Sequence, residues 1–221
     1  MIKYIGSKRA LLGHVTGAVA GVLPQGGRVC DLFSGTARVG HALKKQGFQV
    51  WSNDLNAYAH ALATTYVQAD RERWVERAEG VLAELRTVKP EAGWFTQSFC
   101  QEARYFHPDN GARIDAMRDR IEAMGLEPEL KAIALVSLME AADRVDSTAG
   151  VQMARSGSAW WPGGRTAAKA RSISPRATAR TASIAAPAAS RAAGTLPGER
   201  TVSASSWTMP ATGEASSRRA T

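Results

Sequence analysis

The chain has 221 residues, 44% of them hydrophobic, and a formal net charge of +8, enough for one domain with a sizeable core. The charge is not spread evenly: 18 basic and 18 acidic residues precede Arg155, whereas ten basic residues follow it with only Glu199 and Glu214. A basic pI is therefore weak evidence for nucleic-acid binding, because the part able to fold is neutral. Leu11, Leu12, Val15, Val19 and Val22 recur at helical spacing and predict a first helix that Pro24 and Gly26-Gly27 bring to an end. Residues 28–33 read as a short strand, 34–36 as a tight loop, and 37–46 as a helix stopped by Gly47. A second strand at 49–53 runs into Asp54, and 56–68 reads as another helix, completing a βαβ unit. Helices without intervening strands follow at 72–88, 112–124 and 127–143, with an aromatic loop over 90–111. No repeat of any period is present.

The residues after Ala154 are of a different kind. Ala, Ser, Thr, Arg, Pro and Gly make up 56 of the 67 residues from Arg155 to the end. Ordering a residue's backbone costs roughly 1 to 2 kcal/mol, and a segment with so little apolar mass cannot offset it. We expect 155–221 to be a disordered, low-complexity basic tail. A genuine arm that grips DNA or RNA is one origin. The favoured one is loss of the reading frame near residue 155, since this composition is what out-of-frame GC-rich coding DNA yields.

Three motifs carry chemistry. The first, from Asp31 to Gly40, follows a strand and opens a helix, so its backbone N–H groups suit a nucleotide or a carboxylate-bearing ligand. It is not a Walker A loop, because His41 and Ala42 occupy the positions of the required Lys and Ser/Thr, and it is not G-x-G-x-x-G. An ordinary glycine turn is the plain alternative. The second is Asp54, 19 residues after Gly35 at the end of the second strand, where nucleotide-binding α/β folds place an acid on ribose hydroxyls. Asn53-Asp54 as a cap for the next helix is the competing role. The third is Lys3-Tyr4-Ile5-Gly6-Ser7-Lys8-Arg9, which by itself is only a polar approach to a helix.

In this order the three motifs resemble DNA N6-adenine methyltransferases of the Dam-like class. In these an aromatic-x-Gly-x-Lys segment precedes an (Asp/Glu)-x-Phe-x-Gly-x-Gly-like loop. The resemblance covers Met1 to about Ala69 by motif and continues to roughly Met153 by architecture. It implies a Rossmann-like α/β methyltransferase fold, here incomplete, with a helical insert, and S-adenosylmethionine as cofactor. Tyr4 and Lys8 would help hold the methionine part, Asp31, Phe33, Ser34 and Gly35 would form the cofactor loop, and Asp54 would bind the ribose. Ala37 stands where many relatives have a second glycine. The division implied is a cofactor-binding half over 1–70 and a helical region over 71–154 in the place of target recognition. Double-stranded DNA is the implied substrate, and a cognate restriction endonuclease an implied partner.

The family's catalytic signature, Asp/Asn/Ser-Pro-Pro-aromatic, is absent: none of the nine prolines has a proline neighbour. Adenine N6 is a poor nucleophile because its lone pair is delocalised into the ring. Family enzymes extrude the base, stack it on the motif's aromatic and accept the N6–H hydrogen bonds beside it. No residue is therefore assigned as catalytic, and this chain is expected to be inactive. A noncatalytic fragment that binds S-adenosylmethionine or nucleic acid is the alternative. A methyltransferase acting on RNA or a small molecule shares the loop but not the Tyr4/Lys8 pattern.

The remaining candidates are thin. His14, His41, His60 and His107 show no metal-ligand spacing, and His14 and His41 read as ordinary helix residues. Arg104, Arg113, Arg118 and Arg120 would contact phosphate only if they shared a face. Asp109, Asp115, Asp119 and Glu122 lie among them, so a solvated, salt-bridged helix is favoured. Cys30 and Cys100 read as buried thiols of a reducing compartment. No apolar run approaches the roughly 18 residues of a membrane span, and the N-terminus lacks a signal's apolar stretch, so a cytoplasmic protein without membrane contact is expected.

Overall fold

The computed structural model describes residues 8–146; Tyr4 and the basic segment 155–221 lie outside the described residues. Lys8–Leu11 form a 3-10 turn that runs into α1 (Leu12–Val22). Leu12, Val15, Val19 and Leu23 pack towards Val39, Leu43 and Phe48. Leu11 and Val22, expected on the same face, are exposed, because at 3.6 residues per turn both fall at the margin of that stripe.

β1 (Arg28–Asp31) and β2 (Gln49–Ser52) pair in parallel, with Val29 opposite Val50 and Asp31 opposite Ser52. β1 is two residues shorter than expected, since Leu32 and Phe33 turn outwards, 59% and 80% exposed. Side chains alternate across a strand: Val29 and Val50 are half-buried against the α1 side, while Cys30 and Trp51 are exposed. Cys30 is thus not the buried thiol expected, because it lies on the face of the sheet away from α1 and α2; Cys100 is buried, and both are free.

The crossover between the strands is α2 (Arg38–Lys45), amphipathic with Val39, Gly40, His41 and Leu43 inward. Gly40 lets it sit close to the sheet: a Cβ there would meet Ser52 Oγ and Val67 Cγ2 at 3.0 Å. The described residues thus hold one βαβ unit and a two-stranded sheet. Around it the fold is mainly helical, smaller than the layered α/β sheet that the resemblance implies.

α3 (Ala57–Ala63) gives way to a π turn over Thr64–Gln68, closed by Ala69 N–H donating to the Thr64 carbonyl at 2.8 Å. The wider turn buries three successive residues, Thr64, Thr65 and Tyr66. α4 (Arg71–Thr87) starts on Asp70, whose carboxylate accepts from Glu72 N. A second π turn, Thr96–Glu102, lies in the segment read as loop. α5 (Pro108–Ala123) begins four residues before the expected 112, because Pro108 occupies its first turn and His107 Nδ1 accepts from Asp109 N. α6 (Pro128–Val145) completes the order.

α4, α5 and α6 share the largest core, with Trp74, Leu82, Ile114, Ile121, Leu130 and Ile133 at its centre. A second cluster joins the two parts of the chain, bringing Val136 of α6 onto Ala37, Leu62 and Tyr66. Among the described residues no helix is long and apolar enough to cross a membrane.

Candidate functional site

The loop between β1 and α2 is built by hydrogen bonds to the end of β2. Asn53 N–H donates to the Asp31 carbonyl at 2.9 Å, extending the ladder, and Ser34 N–H donates to the Asn53 carbonyl at 3.0 Å. The Asn53 side-chain amide donates to the Leu32 carbonyl at 3.0 Å. Ala37 N–H then donates to the Ser34 carbonyl at 2.8 Å, closing a tight turn over Ser34–Ala37. Gly35 and Ala37 both take left-handed φ values, 49° and 55°.

Asp54 is tied to this loop directly. One carboxylate oxygen accepts from Gly35 N–H at 2.8 Å; the other accepts from Asn56 N–H at 3.0 Å and the Asn56 side-chain amide at 3.2 Å. The Asn56 and Gly35 amides hold the Asp54 carboxyl below the usual range. Asp54 does not cap α3: the residue before that helix is Asn56, which makes no side-chain cap, and Asp54 instead forms an Asx turn ahead of it. A carboxylate offers about four acceptor positions. The Gly35-bonded oxygen therefore keeps one acceptor position.

Lys8 joins the same place, with Nζ donating to the Phe33 carbonyl at 3.2 Å. Lys8, Asp31, Phe33, Ser34, Gly35 and Asp54 are thus brought together at the carboxyl ends of two parallel strands, while Tyr4 lies outside the described residues. Parallel sheets bind ligands at this end. Asp31 Oδ2 and the Ser34 hydroxyl are buried without a hydrogen-bond partner among the described residues, which fits a polar ligand rather than a dry turn, since buried polar atoms are ordinarily paired. The side chains suit S-adenosylmethionine: acceptors on Asp31, Ser34 and Asp54 for an amine and for sugar hydroxyls, and the Lys8 cation for a carboxylate, while the N–H groups of Ser34, Gly35 and Ala37 are engaged within the protein.

Two kinds of contribution were not foreseen. Asn53 and Asn56 brace the loop and Asp54, and the signal was the Asn-Asp-x-Asn run directly after a strand. Glu140 is the other: it is buried on α6 and accepts from the Tyr66 hydroxyl at 2.6 Å, 74 positions away. No local pattern announces such a contact.

The helical part agrees with the expectation of a solvated, salt-bridged helix at Arg118, Arg120 and Glu122 and departs from it at Asp115. Arg120 pairs with Glu84, Arg118 approaches Asp119 and Lys131 pairs with Glu122. Asp115, however, is buried and accepts from Gly93 N, Phe95 N, Thr96 N and Thr96 Oγ at 2.6–3.0 Å. Burial pushes its carboxyl up, but the four donors outweigh that and hold it below the ordinary range. It ties the aromatic segment to α5 instead of forming an ion pair. His41 lies within α2 as expected, buried with its ring stacked on Tyr66. Among the described residues no group of His, Cys, Asp and Glu could hold a metal ion.

Comparison with known proteins matches residues 4–170 to the family model of D12 class N6 adenine-specific DNA methyltransferases. Among curated proteins, Type II methyltransferase M.NlaIII of Neisseria lactamica is 33% identical over 161 residues, 68% of this chain and 48% of that protein. The chain thus spans about half the length of the curated relative it matches. No solved structure matches.

Proposed function

The chain belongs to the D12 class of N6 adenine-specific DNA methyltransferases, and on that premise we propose that residues 1–70 are the cofactor half of such an enzyme. The observation that carries this reading is the hydrogen bond from Gly35 N–H to Asp54, which places a glycine loop and an acid at the ends of adjacent parallel strands. Bound there, S-adenosylmethionine would supply the sulfonium methyl group. Asp54 would accept from its ribose hydroxyls, Lys8 with Tyr4 would hold the methionine end, and Asp31 and Ser34 would meet its polar atoms. Duplex DNA is the substrate in this reading, the helical region 71–154 stands in the position of target recognition, and a restriction endonuclease is the natural partner.

The same proposal assigns no methyl transfer to this chain by itself. The Pro-Pro-aromatic platform for the extruded adenine occurs nowhere in its 221 residues, so the proposal assigns no residue to accept the N6 protons. That absence favours a binding role as the second reading, with a lost reading frame near residue 155 as its origin. Translating the other two frames past codon 154 tests the origin: without a Pro-Pro-aromatic motif in either, the frameshift idea fails. A version with the motif restored should label adenine N6 in unmethylated DNA where the present chain does not.

Calorimetric titration with S-adenosylmethionine tests the site. Wild type should bind, and Asp54→Ala should weaken binding roughly ten- to hundredfold, as expected for a lost charged hydrogen-bond acceptor. Asp54→Asn keeps an oxygen for Gly35 N–H and separates loop support from ribose binding. Unchanged affinity in Asp54→Ala would refute the assignment.

A further inference from the structure

Glu140 lies in the middle of α6 with a side chain 0% exposed. One oxygen accepts the Tyr66 hydroxyl at 2.6 Å, and the other lies 3.6 Å from the Arg144 guanidinium. Arg38, the first residue of α2, is within electrostatic reach of both Tyr66 and Glu140. The Tyr66 ring stacks on His41, centroids 5.6 Å apart, and packs with Ala37, Leu62 and Val136. Ala37, just before α2, and His41, in its first turn, therefore rest on Tyr66.

That turn is where the glycine loop ends. Ala37 is held at φ 55° with its N–H on the Ser34 carbonyl, a conformation that a residue with a Cβ keeps only when its surroundings over-determine it. Ala37 is 0% exposed, and its walls are Leu62, Tyr66 and Val136. A buried carboxylate is an expensive way to fill a helix interface, and apolar side chains of similar volume often do so with no loss of stability. What a carboxylate adds is direction: it fixes the Tyr66 hydroxyl, and with it the ring against which Ala37 and His41 are set.

We propose that Tyr66 and Glu140 are positioning residues for the cofactor loop, so that α6 sets the geometry of a site formed by residues far from it in sequence. The proposal rests on the reading of that loop as the S-adenosylmethionine site. Neither residue belongs to the loop; Glu140 acts through Tyr66, and Tyr66 through Ala37 and His41.

The experiment uses the full chain and two readouts: S-adenosylmethionine affinity by calorimetry, and amide hydrogen exchange at Ala37 and His41. Tyr66→Phe removes one hydroxyl and Glu140→Gln one charge, each keeping its shape. Both should weaken cofactor binding at least fivefold and speed exchange at the two amides. Ile121→Val, in the separate α4–α5–α6 core, should leave affinity within twofold and exchange at the two amides unchanged. Should Glu140→Gln fail to fold, Tyr66→Phe carries the test. Wild-type affinity and exchange in Tyr66→Phe, with Asp54→Ala still weakened, overturns the positioning role and leaves the cofactor site standing. No binding by wild type removes the cofactor reading and this proposal together.

Discussion

Ala37 and Gly35 share a left-handed backbone, yet their surroundings make opposite demands. At Ala37 a methyl group is fully buried at φ 55°. Glycine there would relieve about 1 to 2 kcal/mol of backbone strain while giving up about 0.8 kcal/mol of methyl burial and loosening the unfolded chain by a similar amount. Ala37→Gly should therefore stay within about 1 kcal/mol of wild type by urea denaturation. A Cβ on Gly35, at φ 49°, would meet nothing within 4 Å. Gly35→Ala should cost only the strain, about 1 to 2 kcal/mol, and a much larger loss would mean the loop is packed more tightly than described. Asp115 supplies a pH test. Its carboxyl is lowered in the folded state, so its contribution is complete above the ordinary aspartate value of about 3.9 and disappears as pH falls through the lower folded value. Asp115→Asn faces an amide NH₂ against some of the four donors. It should cost about 1.5 to 3 kcal/mol at pH 7, with the gap to wild type narrowing below about pH 4. A gap independent of pH would show that shape, not charge, holds the segment.

At the scale of elements, the aromatic segment and α5 depend on one missing side chain. A Cβ on Gly111 would lie 2.3 Å from Cys100 Sγ, 3.0 Å from Thr96 Oγ1 and 3.2 Å from Thr96 Cα. Gly111→Ala must move the π turn or α5, and overpacking of this kind costs about 1 to 3 kcal/mol. Adding Cys100→Ala removes the worst contact but not the one with the Thr96 backbone, so the double variant should recover part of the loss and not all of it. Full recovery, or none, would contradict the geometry. Burial also pushes the Cys100 thiol up to about 11, with the Asp115 charge adding to it, so thiol reagents should reach exposed Cys30 first. These contacts mark what the sequence could and could not disclose. α4 and α6 were legible because their apolar residues repeat at helical spacing over 17 and 18 residues, and β1, the loop and Asp54 were legible because they are consecutive along the chain. The π turns were not, since an i→i+5 bond leaves no periodic trace. Nor was the role of Asp115, whose donors lie 19 to 22 positions away, nor that of Glu140 against Tyr66.

For the whole molecule, the question is which part of the chain DNA would meet. Acids and bases balance before Arg155, 18 of each, and several surface cations of the helical part already face carboxylates: Arg77 on Glu127, Arg120 on Glu84 and Lys131 on Glu122. Each such pair opposes a cation that would otherwise displace counterions from a phosphate backbone. Residues 155–221 carry ten bases against two acids, and each phosphate they neutralise should steepen the dependence of log affinity on log salt by about 0.9. The full chain should therefore bind duplex DNA without sequence preference. If six to ten phosphates are contacted, its affinity should fall by about 10³ to 10⁵ between 50 and 200 mM salt. A chain ended after Ala154 should lose nearly all of this affinity, and what remains should depend little on salt. Fluorescence anisotropy with two unrelated duplexes measures both quantities. If the shortened chain instead keeps most of the affinity and prefers one duplex, the helices read DNA themselves. The basic segment would then be an accessory, and the neutral balance of the first 154 residues would conceal a charged face formed by residues that the ion pairs above do not include.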